Sequence, residues 1–541
     1  MYRVLDLFSG AGGLSLGFKE TGKFKIIAAA EINDNARETY IYNHSDVYMY
    51  DDVTTINYSE LIRNLGNIDV VIGGPPCQGL SNANRQKNTA ISLNNRLVKE
   101  YIRAVKELNP KAFVMENVAM IKSDVHRFYF SELDKEDNDI LKIKMKESKI
   151  PLLSSKYVFD NAAEVLQNEV TLKSKQWDDN EYNAIYLIYK YIRNIVSLSK
   201  ENVKDKNKKK LSNALNKHKY ILKKFSDRYL NMQDRSYIDE INYELAIILN
   251  NRNIKRVCTK KAYKIMDEAI SIQKMFKTYN ELKQNHIEIK LHESDKGLYV
   301  VVKSYSVIDY IELKLEDYQL TKHIYNALDY GTPQRRERFI LVGSRLIGDV
   351  KFKIPDAKYG NGKLPYFTVK DAISDIADVD VVYKVDDPPI KLKKKKYVSK
   401  LALQLRDSEF LYNHISTKST DIAIERFKQL KQGENFHALK AEYKDNTYTN
   451  SERTQNTIYQ RLDYSKPSGT VVNVRKSMWI HPIINRAISI REAARLQTFP
   501  DSFVFYGTKD SQYQQIGNAV PPFLAKAVAE SLADFLDSLA K

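Results

Sequence analysis

The sequence predicts an α/β fold: a parallel sheet covered by helices on both faces. Three observations carry this. Short apolar runs rich in β-formers alternate with helical patterns through the first 120 residues. The intervening helices are short, of the 10–15 residues a crossover needs. The first run leads straight into Gly10-Ala11-Gly12-Gly13, a glycine turn that opens an amphipathic stretch. In order, strands are expected at residues 2–8, 25–31, 47–53, 69–73 and 112–116. Helices are expected from the glycine turn to about residue 22 and at 33–43, 58–65 and 95–108. Sheets of this kind bind their ligands at the carboxyl ends of the strands.

From residue 119 to 298 the character changes. The segment is rich in Lys, Asn, Ile, Leu and Tyr, almost free of Gly, and holds one proline, Pro151. Apolar residues recur at helical spacing, for example over 182–198 and 237–249, so the segment reads as a helical insertion. Strand patterns return at 298–307, 312–315, 322–327 and 338–342. Residues 344–464 are irregular, with Pro-, Gly- and Lys-rich patches including the run 391–396, and suggest a separate smaller domain. Residues 489–541 are mainly helical in pattern. The expected division is therefore 1–118, 119–298, 299–343, 344–464 and 465–541, with the first, third and last parts forming one domain.

Composition narrows the function. A chain of 541 residues supports several domains and a sizeable core. No run of 18 apolar residues occurs, which argues against a membrane-spanning helix, and the first residues carry no secretory pattern. Cys77 and Cys258 are the only cysteines, so a disulfide scaffold or a cysteine-based zinc site is excluded and a reducing cytoplasm fits. The net charge of +17 points to a polyanionic partner.

Two turns carry chemistry. Gly73-Gly74-Pro75-Pro76-Cys77-Gln78 follows a buried strand and sets a thiol in a stiffened turn at the ligand edge, where a nucleophile would be presented. Cys258 has no such surroundings and reads as a small buried apolar residue. Asp6-Leu7-Phe8-Ser9-Gly10-Ala11-Gly12-Gly13 joins the first strand to the first helix. Its glycines suit close approach of a ligand or tight strand–helix packing. The second strand ends in Glu31 and the third in Asp51-Asp52, and an acid at the second strand end is placed to accept from ribose hydroxyls. The combination suggests an adenosine-bearing cofactor.

These residues, in this order, resemble the cytosine-5 DNA methyltransferases of restriction–modification type. Residues 6–13 resemble the family's cofactor motif, Pro75-Pro76-Cys77-Gln78 its nucleophile motif, and Glu116-Asn117-Val118 its Glu-Asn-Val motif. Gln334-Arg335-Arg336-Glu337-Arg338 resembles its Gln-x-Arg-x-Arg motif. Pro467-Ser468-Gly469-Thr470, His481-Pro482, residues 491–497, Phe499-Pro500-Asp501 and residues 515–521 complete the series, which covers about half the chain.

The resemblance implies a Rossmann-like S-adenosylmethionine methyltransferase sheet with a helical insertion and a smaller target-recognition domain at 344–464. It implies S-adenosyl-L-methionine as co-substrate, no metal, and double-stranded DNA as partner, bound by a monomer. A cognate restriction endonuclease would stand beside it in a bacterial or phage setting. Cys77 would attack C6 of a flipped-out cytosine, and Glu116 would relieve charge at N3. Arg338 would contact the cytosine O2, while Arg336 would support the phosphate and the catalytic loop. Phe8, Gly10, Gly12, Gly13, Glu31, Ile32, Asp52, Val53, Pro76, Asn518 and Val520 would hold the cofactor. Three positions depart from the family pattern: Leu80 replaces a usual Phe, the segment before Arg96 lacks a usual Asp, and Asp51 replaces a common Gly. Two other readings remain at this point, a tRNA cytosine methyltransferase and a catalytically silent DNA-binding relative.

Overall fold

A computed structural model describes residues 1–76, 93–119, 127–137, 140–197, 201–250, 254–345, 351–395, 397–444 and 454–539. The first five strands are β1 (Tyr2–Leu7), β2 (Phe24–Ala30), β3 (Tyr48–Tyr50), β4 (Val70–Gly73) and β5 (Ala112–Val118). After them come β6 (Arg127–Tyr129), β7 (Lys146–Ser154), β8 (Ile289–Ser294) and β9 (Gly297–Ser306), then β10 (Tyr318–Asn326) and β11 (Glu337–Arg345). The main sheet runs β10-β11-β5-β4-β1-β2-β3. β1 to β5 are mutually parallel, and β11 is antiparallel to both of its neighbours.

This topology places the site. The carboxyl ends of five strands share one edge, and the reversed strand β11 brings its amino end to the same edge. Ile340 pairs with Glu116 and Arg338 with Val118. Glu116 and Arg338 therefore lie diagonally on one face, within reach of long side chains.

Two apolar layers close over the sheet. One includes Tyr58, Tyr101, Val105, Phe113 and Phe339. The other joins Phe18, Ile72, Val114 and Ile340 to the helix Pro522–Leu539. That helix lies so close to Gly13–Lys19 that a Cβ on Gly17 would sit 2.5 Å from the Ala525 Cβ and the Pro522 carbonyl.

The segment 119–298 differs from a purely helical insertion. Its helices bury a core of Tyr182, Ile188, Leu211, Phe225, Leu245 and Met266. They are joined to a second sheet in which β9 pairs with β6, β7 and β8. The edge strand β7 is too polar over Lys146-Glu147-Ser148-Lys149 to read as a strand, and Pro151 and its lysines suit an edge. Residues 312–315 are not a strand: the helix Val307–Lys314 covers most of them, with the Ser306 side chain accepting from the Asp309 N–H.

Residues 344–464 divide between two apolar clusters: Phe427, Leu430, Phe436, Leu439 and Tyr459 form a small one with Ile480, and the earlier part joins a larger one. Ile373, Leu401, Leu405 and Leu411 share one cluster with Val471, Trp479, Ile490, Leu496 and Phe499. Packing therefore crosses residue 464 in the larger cluster. No helix among the described residues is long and apolar enough to cross a membrane.

Candidate active site

The cofactor side begins at the end of β1. Phe8 has φ 58°, and Gly10 and Gly12 also take positive φ, folding the chain back at the strand end. The Ser9 N–H donates to the Ala30 carbonyl at 3.0 Å, which ties this turn to the end of β2. Glu31 then caps the turn: its carboxylate accepts from the Gly10 N–H and the Asn33 N–H, both at 2.8 Å. Burial pushes its pKa up against these bonds.

The three glycines serve different ends. A Cβ on Gly10 would meet nothing within 4 Å, so this backbone faces open space. On Gly12 it would run into His44 at 2.6 Å, and on Gly13 into the Val520 carbonyl at 2.5 Å. Close packing thus requires glycine at positions 12 and 13, whereas the Cβ side of Gly10 is open. Asp52 uses one oxygen to cap the turn Val53–Thr55, accepting from the Thr54 N–H at 2.8 Å. Ile32 is 73% exposed beside Glu31, Val53 is buried, and Phe8 is half-buried. Asn518 is exposed and Val520 buried. Open backbone, an exposed apolar side chain and carboxylates at successive strand ends fit the adenosine and amino-acid parts of S-adenosylmethionine. Buried Ser9 Oγ and Asp6 Oδ1 have no hydrogen-bond partner among the described residues.

The catalytic side lies at the ends of β4 and β5. Glu116 Oε1 and Arg338 Nε are 2.7 Å apart, each side chain 13% exposed. Burial raises the Glu116 pKa, opposed by Arg338 and Arg336, and burial lowers that of Arg338. The Glu116 carboxylate rests against the turn that carries Pro75 and Pro76: a Cβ on Gly74 would be 2.8 Å from its Oε2. Asn117 donates from Nδ2 to the Pro75 carbonyl at 3.1 Å, pinning the start of that turn to β5. Pro76 is half-buried. Cys77 lies outside the described residues, as do Leu80 and the rest of the turn that follows it.

Arg336, expected to support the phosphate and the catalytic loop, lies in the interior. It is 1% exposed and donates to the Val471 carbonyl at 2.8 Å and the Gly517 carbonyl at 2.7 Å. These bonds join three segments far apart in sequence. Gln334 and Gln497, not singled out from the sequence as site residues, extend the joint. Gln334 accepts from the Val471 N–H at 2.7 Å and donates to Gln497 Oε1 at 2.7 Å. Gln497 donates to the Ile516 carbonyl at 2.7 Å. Both lie inside the family motifs, and that membership is the one sequence signal that marks them. Among the described residues no group of three or more His, Cys, Asp or Glu side chains could hold a metal.

The family described as C-5 cytosine-specific DNA methylase matches residues 2–140 and 303–534, passing over 141–302. The chain is 24% identical to the type II methyltransferase M.DdeI of Desulfomicrobium norvegicum, covering 99% of this chain and 89% of that protein. It is 25% identical to the DNA (cytosine-5-)-methyltransferase M.ApeKI of Aeropyrum pernix, covering 99% of each. The fold matches the crystal structure of a prophage-encoded E. coli protein described as a DNA modification methyltransferase. The TM-score is 0.53 at 20% identity, over 99% of this chain and 100% of that one. With the family match spanning well over half its residues, the chain belongs to the C-5 cytosine-specific DNA methylases.

Proposed function

We propose that the chain methylates C5 of a cytosine flipped out of a specific duplex DNA sequence, through a covalent bond between Cys77 Sγ and the ring C6. The observation that carries this is the Glu116–Arg338 pair, 2.7 Å apart beside the turn that leads to Cys77. Cytosine C5 is a poor nucleophile while the ring stays aromatic. Addition of the Cys77 thiolate to C6 moves the electron pair toward N3 and C5. Glu116, its pKa raised by burial, donates a proton or hydrogen bond to N3 where that charge develops, and Arg338 holds its carboxyl in place.

S-adenosylmethionine supplies an electrophilic methyl group when bound, with Gly10, Glu31, Ile32 and Asp52 as the residues to hold it. Transfer to C5 leaves a saturated carbon bearing both methyl and hydrogen. Loss of that proton to a base expels the Cys77 thiolate and restores the ring. Residues 344–464 read the target sequence. The named type II relatives support a protective role beside a restriction endonuclease in a bacterial cytoplasm. In this reading the enzyme binds DNA as a monomer.

The test combines a variant with a trap. Cys77→Ser is expected to abolish turnover while keeping DNA binding. The unaltered enzyme is expected to form a stable adduct with duplex containing 5-fluorocytosine, because fluorine cannot leave as a proton does. Bisulfite sequencing of DNA from expressing cells identifies the methylated site. Normal methylation by the serine variant would overturn the assignment of Cys77.

A further inference from the structure

The chain's positive charge is concentrated away from its sheet edge. Residues 190–264 carry 20 Lys and Arg against 7 Asp and Glu, a net +13 of the chain's +17. Residues 344–464, the segment expected to read DNA, carry 22 against 17, a net of only +5. Most of the polyanion-attracting charge therefore belongs to the insertion.

The helices there sort their residues by face. In Glu201–Lys217 the buried positions include Asn207, Leu211, Ala214 and Leu215, and in Lys219–Leu230 they are Leu222, Phe225, Ser226 and Tyr229. Lys209, Lys210, Lys217, Lys219, Lys223 and Lys224 are exposed and make no ion pair among the described residues. Arg256, Lys260, Lys261 and Lys264 are also exposed, at the start of the long helix Lys260–Gln284. That helix begins among these cations, and its 25 residues span about 37 Å at 1.5 Å per residue. Its far end joins the second sheet, where Ser131 donates to the Asn285 carbonyl and the Glu132 N–H to that of His286. β6 and β9 of that sheet place Phe128 and Tyr305 in the core of the main domain. A span of about 37 Å matches roughly one turn of duplex, about 34–36 Å.

We propose that these lysines form a second phosphate-binding face, which grips the backbone of duplex DNA flanking the target rather than the target itself. The choice of DNA rests on the function proposed above. The face rests independently on exposed cations of a packed bundle, six of its lysines in no ion pair among the described residues. Such contacts carry no sequence information, but they raise affinity and make it steeply salt-dependent.

The experiment uses the full chain and a K209Q/K210Q/K223Q/K224Q variant whose fold is checked by circular dichroism and thermal melting. Binding is measured against salt on a 40-base-pair and a 14-base-pair duplex, each carrying the methylated site. On the long duplex, the slope of log K against log salt is expected to flatten by about 0.9 for each phosphate no longer neutralised, up to about 3.6. On the short duplex, binding and methylation by enzyme and variant should coincide. Equal slopes on the long duplex overturn the proposal, as does an equal weakening on both lengths, which would put the lysines at the target. A variant that keeps its DNA slope but no longer binds single-stranded RNA overturns it as well. Absence of methylation by the unaltered enzyme would count instead against the proposed function.

Discussion

The C-terminal half and the insertion both carry cationic side chains, and they use them in opposite ways. In the C-terminal half Arg336, Arg461, Arg491 and Arg495 are buried. Arg461 donates to the carbonyls of Phe427, Leu430 and His481, and Arg491 to those of Tyr412, Pro500 and Phe503. Arg495 pairs with Asp375 at 2.6 Å and with Asp501 at 2.5 Å. In the insertion the charge is mostly lysine, on exposed faces. A planar guanidinium with five fixed donors can satisfy several carbonyls inside a core, whereas an ammonium on a flexible stem remains best solvated. The lesson is that net charge locates a surface only after the internal arginines have been set aside.

The contrast can be broken most severely at Arg495. Arg495→Met should destabilise the protein by about 3–5 kcal/mol, because Asp501 is left buried without its cation. Asp375 keeps Arg406 at 2.8 Å. Urea denaturation measures the effect, and R495M/D501N should recover part of it; an R495M midpoint near that of the parent would mean this arginine is not a structural staple. Next comes Glu116→Gln, which should slow single-turnover methylation by on the order of 10²–10³, or about 2.7–4 kcal/mol, with DNA affinity little changed. An unaltered rate would remove Glu116 from the chemistry.

A third test uses pH. Burial pushes the Asp6 carboxyl up from 3.8 to about 7, with Ser15 hydrogen-bonded to it at 2.6 Å. Folding thus favours the protonated acid. The stability this group contributes is full below its unfolded pKa and is lost as the pH rises from about 4 to about 7. Relative to Asp6→Asn, the parent should lose on the order of a few kcal/mol across that window, each pKa unit being about 1.4 kcal/mol. Parallel stability curves for the two proteins would place the titration elsewhere. The smallest effect is expected from the four-lysine variant, whose folding stability should shift by no more than about 0.5 kcal/mol. A larger shift would show that these lysines belong to the packing of the bundle.

Much of the sheet edge was legible in the sequence because its markers are local. Glycine turns, apolar runs and an acid at a strand end all show within a few residues, as at Gly10, Gly74 and Glu31. Residues 312–315 misled because Glu-Leu-Lys-Leu alternates like a strand, while Val307, Tyr310 and Ile311 bury one face of a helix. The acceptors of Arg336 were illegible for another reason: they lie 135 and 181 residues away. No local pattern tells a buried arginine bonded to carbonyls from one offered to a phosphate. The second sheet stayed hidden because β6 and β7 meet β9 only after more than 130 intervening residues have folded into helices.

The close approach of Gly13 to the Val520 carbonyl also sets an order in time. The glycine turn leaves the ribosome before Val520, which arrives about 500 residues later. At roughly 5–20 residues per second, synthesis takes about 25–100 s to supply it. Throughout that interval the nascent chain lacks the residues that pack against Gly13. A product truncated before residue 519 would lack that contact, so the packing around Gly13 is complete only after residues 344–464 and the segments bonded to Arg336 have been made.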